Sequence, residues 1–164
     1  MININIFFVY SIIGFIYESI VNLIQMGSFE SGFMYGPWTP IYGISVLIIL
    51  LINKKVSIRC NNKITKLFLV ALISFVTLTI IEYLSGNLLQ ILFKKVYWNY
   101  SGLRFSFGKY IALEVSLIWA IMSIIIVIIH PKIEKYIKKI PKSLSYILIF
   151  SFAIDLIMSL IKLL

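Results

Sequence analysis

Four carboxylates interrupt otherwise apolar stretches of this 164-residue chain: Glu18, Glu82, Glu114 and Asp155. An acid carried into hydrocarbon costs about 2.5–3.5 kcal/mol on insertion scales unless it is neutral, paired or hydrated. Acids kept at that cost bind a cation, relay a proton or hold an ion pair. Their neighbours at helical spacing are also polar. Ser11, Gly14, Glu18, Asn22 and Gln25 form one stripe, Thr79, Glu82, Gly86 and Gln90 a second, and Ser151, Asp155, Ser159 and Lys162 a third. Polar stripes on apolar helices turn toward a bundle interior, so the acids are expected to converge in the outer half of a membrane.

Two chemistries fit that expectation. In one, Glu18, Glu82 and Glu114 line an outward-facing cavity for a cation, a proton or a cationic headgroup. Arg104 and Lys109 are then movable partners, and Asn22, Trp98 and Tyr100 complete the lining. In the other, the acids are structural counter-ions for Arg104, Lys109 and Lys162.

Other site chemistries find little support. Cys60 and His130 are the only residues of their types, which excludes a Cys/His zinc site and an internal disulfide. Ser159 stands four residues from Asp155, but no histidine is placed to activate it. The string from Gly102 to Lys109 resembles a phosphate-binding loop with one residue too many, and it has Tyr110 where Ser or Thr would hold magnesium. The triplet Asn99, Tyr100, Ser101 matches a glycosylation acceptor, yet Trp98 and Tyr100 fit an interfacial aromatic anchor better. No catalytic residue, metal or cofactor is therefore assigned. A membrane-embedded enzyme acting on lipid or envelope substrates is a third reading.

The elements that must position these residues follow from composition. The chain is 61% hydrophobic and 13% charged, with a mean hydropathy of +1.02. A soluble domain of this size could not hide so much apolar surface, so the lipid bilayer is its solvent. The net charge of +9 lies in clusters between apolar runs, which reads as membrane topology rather than a nucleic-acid groove.

The expected fold is all-α, a single integral membrane domain over 1–164. Its polytopic transmembrane helix bundle has about five spans, at 6–25, 38–52, 67–93, 110–129 and 143–163. Residues 1–8 lack a basic n-region and a small-residue cleavage site, and read as the start of a retained helix. The second span is preceded by Gly36, Pro37, Pro40 and Gly43. Its apolar run, 41–52, would rise only about 18 Å. Residues 36–43 are therefore expected to be broken or re-entrant backbone that acts as a hinge, with the following half-helix aiming its positive end at the acids.

Residues 53–66 and 130–142 carry five Lys or Arg each, and 26–38 carry none. The positive-inside rule then puts the N-terminus in the cytoplasm and the C-terminus outside. The loop 94–109, with Lys94, Lys95, Arg104 and Lys109, is basic yet falls outside in this arrangement. A faint internal repeat is visible, since Glu18 and Glu82 each precede an aromatic, glycine-containing loop and a further span.

Several strings together resemble the ABC-transporter type IV, or CmpB-like, family of bacterial membrane proteins. They are residues 10–18 ending in Glu18, 32–37 with 40–43, Glu82 with Tyr83, 98–101, 108–116 with Trp119, and His130 with Pro131. The chain departs from the pattern at Asn99 and Gln90, where the family has acids. The resemblance implies a permease-like subunit of a transporter in the bacterial cell membrane. It also implies a separate ATPase subunit and assembly into homo- or hetero-oligomers, because one copy is small for a transport path. A membrane scaffold or regulatory protein is the alternative.

Overall fold

In a computed structural model that describes residues 1–163, helices dominate. They are α1 (Ile2–Met26), α2 (Pro40–Arg59), α3 (Lys63–Phe93), α4 (Leu113–Ile137) and α5 (Lys142–Leu163). All five are long and apolar enough to cross a membrane. Most of their large apolar side chains are exposed, as they must be when lipid is the surrounding medium. The interior is instead rich in small hydroxyls: Ser11, Ser19, Ser45, Ser74, Ser116, Ser123, Ser145 and Ser159 are all buried. Small residues let membrane helices approach closely where lipid and side chains are equally apolar.

Helix ends follow local chemistry. Gly27 closes α1 in the left-handed region at φ 74. Asn62 caps α3 by accepting the N–H groups of Ile64 and Thr65 at 2.9 and 3.1 Å. Pro40 opens α2 at the position where a missing N–H costs nothing.

The broken segment differs from expectation in extent. α2 is not a half-helix: its 20 residues rise about 30 Å, because Asn53, Lys54 and Lys55 continue the helix. Long basic side chains tolerate this by running along the helix toward water. Gly43 is likewise helical. The non-helical stretch is 27–39, which retains Gly36 and Pro37. The polar connection after α2 shrinks to residues 60–62, with the flanking basic residues on helical ends.

Sequence also missed a two-stranded antiparallel ladder, β1 (Ser106–Phe107) and β2 (Ile111–Ala112), in the loop before α4. Gly108, at φ 70, takes the left-handed backbone of its turn.

The chain divides into two compact units. One combines Met1–Leu47 with the chain from Pro131 onward. Its core packs Phe8, Met34 and Trp38 against Phe7 and Phe152. There α1 and α2 meet through glycines. A Cβ at Gly14 would overlap the Tyr42 ring, and one at Gly43 would overlap Ser11 and the backbone of Phe7. The other unit, Ile48–His130, holds most of α2, all of α3 and the first part of α4. In it a Cβ at Gly86 would overlap the Tyr110 ring.

Candidate functional site

Each unit contains two of the four acids. In the unit Ile48–His130, α3 buries Val70, Ser74, Leu78, Glu82 and Gly86, one residue per turn along a single face. Glu82 is 6% exposed. Its Oε1 accepts the Tyr100 hydroxyl at 2.6 Å and its Oε2 accepts the Trp119 indole N–H at 3.3 Å. One turn away, the Thr79 hydroxyl donates to Ser116 at 2.7 Å, and Ser116 donates to the Ala112 carbonyl. Tyr110 lies over Gly86 and donates to Gln90 at 2.7 Å, with Trp98 edge-on to its ring at 5.8 Å.

The ordered 94–112 loop supplies this cap. The Tyr100 N–H bonds the Lys109 carbonyl at 2.8 Å, and the Leu103 N–H bonds the Tyr100 carbonyl. Glu114 accepts the Phe105 N–H at 3.0 Å through one oxygen. Its other oxygen and the indole N–H of Trp98 are buried without a hydrogen-bond partner among the described residues.

In the other unit the acids hold the 27–39 segment. Ser31 donates to Glu18 at 2.6 Å and lies 2.5 Å from the hydroxyl of Thr39, the residue just before α2. An acid is thereby linked to a helix N-terminus, where its charge is favoured. Asn22 donates to the Glu30 carbonyl at 2.7 Å. Asp155 accepts four donors: the N–H groups of Tyr35 and Gly36 at 3.0 and 2.9 Å, the Trp38 indole at 2.5 Å and Ser159 at 3.2 Å. Lys162 sits over the Tyr35 ring at 4.7 Å.

The structure thus joins Glu82 directly to Tyr100 and brings Lys109 to the same residue through its backbone. It places Trp98 beside Tyr110, and Glu114 beside Phe105. Glu18 and Asn22 are hydrogen-bonded to the 27–39 segment, Gly36 supplies an amide to Asp155, and Pro40 and Gly43 belong to α2. Among the described residues, no ion pair joins Arg104, Lys109 or Lys162 to these acids. Hydroxyls, indoles and backbone amides partner all four acids, while Arg104 is exposed with its guanidinium over the Phe105 ring at 5.4 Å. Lys109 is exposed as well. Trp38 and Trp119 are not among the site residues singled out from the sequence. Trp119 could have been found from its place one turn after Ser116 and one turn before Ser123, on the buried polar face of α4.

Five apolar spans with hydrogen-bonded acids between them make this a multi-pass helical membrane protein. The chain belongs to the family described as "Putative ABC-transporter type IV", whose model matches residues 5–161. It matches no curated protein and no solved structure.

Proposed function

We propose that the chain is the permease-like membrane subunit of a transporter in the bacterial cell membrane, with Glu82 as the intramembrane group that takes up a proton or a cation. The observation that carries this reading is the set of Glu82 partners: a buried carboxylate on a spanning helix, oriented by two neutral donors and, among the described residues, by no cationic side chain. Neutral donors aim an acid but leave its charge uncompensated. In a hydrocarbon setting that charge calls for a proton or a bound cation. The open oxygen of Glu114 and the open N–H of Trp98 are polar atoms that a hydrated species entering this unit would satisfy.

Asp155 and Glu18 support the scaffold reading for the other unit, since both Asp155 oxygens and one Glu18 oxygen accept donors from the 27–39 segment. The two roles coexist: one unit braces a loop while the other carries the charge-binding group. Energy comes from a separate ATPase subunit, because no nucleotide-binding motif occurs in this sequence. The N-terminus faces the cytoplasm and the C-terminus the outside, in keeping with the basic residues at both ends of the α2–α3 connection.

Affinity purification of the chain from native membranes in mild detergent tests the reading. A nucleotide-hydrolysing subunit is expected to co-purify, with hydrolysis that falls in the Glu82→Gln variant. Isolation without any ATPase, or hydrolysis indifferent to Glu82→Gln, contradicts it.

A further inference from the structure

The 94–112 loop joins the end of one spanning helix to the start of another, which holds it at the bilayer surface. Its backbone is ordered by the β1–β2 ladder and by the bonds from Tyr100, Leu103, Phe105 and Leu113. Yet this ordered loop turns large apolar side chains outward. Phe105, just before β1, and Phe107, within it, flank the half-buried Ser106 and are 56% and 79% exposed. Water is a poor environment for two adjacent exposed phenyl rings on a rigid strand, and the boundary between lipid headgroups and acyl chains is a good one.

Charge points to the same place. Residues 94–112 contain Lys94, Lys95, Arg104 and Lys109 and no acid. Arg104 lies over Phe105 and Lys95 over Tyr97 at 5.3 Å, so cation and ring are presented together. Basic residues close to an anionic lipid surface are drawn to it.

We infer that this hairpin is an anionic-phospholipid docking site, with Phe105 and Phe107 inserted at the acyl boundary and Arg104 and Lys109 on lipid phosphate. The site is independent of what Glu82 binds. It also accounts for a basic loop on the outer side of the membrane, where the positive-inside rule disfavours one. The carbonyl of Lys109 holds Tyr100, so the lipid-facing turn is continuous with the cap over Glu82.

The test uses the full-length protein in nanodiscs of phosphatidylcholine, alone or mixed with phosphatidylglycerol. Phosphatidylglycerol is expected to raise the wild-type Tm. The double variant Arg104→Gln/Lys109→Gln should lose most of that rise. Inorganic phosphate in place of the lipid should produce no shift. Independently, a nitroxide on Phe107→Cys in a Cys60→Ser background should meet dissolved oxygen more readily than an aqueous nickel reagent. An equal phosphatidylglycerol response in wild type and the Arg104/Lys109 variant, a phosphate effect matching the lipid's, or a water-exposed nitroxide would each overturn the inference.

Discussion

The Tyr100 hydroxyl reaches across 2.6 Å to Glu82, tying a residue of the surface loop to an acid on α3. The bond matters because it makes the loop, together with Trp119 of α4, a partner in how Glu82 is presented. Tyr100→Phe should therefore weaken whatever Glu82 does while leaving the acid in place. It should destabilise the protein by roughly 1–3 kcal/mol, the cost of leaving a buried acceptor short of a donor. Unfolding in mixed micelles measures this, and a variant as stable as wild type would show that the bond contributes nothing.

Asp155 should behave differently from Glu82. Its two oxygens accept four donors, three of which fix the 27–39 segment to α5, with Ser159 of α5 the fourth. Asp155→Asn leaves one accepting oxygen and adds an NH₂ that faces other donors. A loss of about 1.5–3 kcal/mol follows, together with faster proteolysis within 27–39. Glu82→Gln should leave both measurements near wild type. Equal destabilisation by the two substitutions would erase the distinction between brace and binding group.

Glycines make a packing prediction. Gly43→Ala drives a methyl group into the Phe7 backbone, which has little room to move. Gly86→Ala meets the Tyr110 ring, which can shift only by giving up Gln90. Each should cost about 1–3 kcal/mol, with Gly43→Ala the worse of the two. The ordering is read from denaturation midpoints of the two variants side by side.

Cys60 reports orientation without any substitution. It lies in the short α2–α3 connection, flanked by Arg59 and Lys63. A membrane-impermeant maleimide should label it in inverted vesicles and not in intact cells. The reverse pattern would place the basic connection outside and reject the proposed topology.

Much of the fold was legible because hydropathy and length alone identify spanning helices. The boundaries were less so. Asn53, Lys54 and Lys55 read as loop by polarity, although long basic side chains at a membrane surface extend a helix without strain. The partners of the acids were harder still. Glu82 and Tyr100 were both visible as candidates, but their bond spans a loop whose path depends on the ladder of Ser106 with Ala112. Two-residue strands have no periodicity to read. Arg104 looked like a counter-ion because opposite charges attract in any sequence-level argument. Its stacking on Phe105, and the turning outward of that ring, emerge only from the backbone.

Infrared difference spectroscopy on the reconstituted protein tests the role of Glu82 most directly. Cycling between acidic and alkaline buffer, and between sodium and a bulky organic cation, should produce a carboxyl signal that vanishes in Glu82→Gln and persists in Asp155→Asn. A spectrum unchanged by Glu82→Gln would mean that this carboxylate takes up neither proton nor cation, and the central proposal would fall.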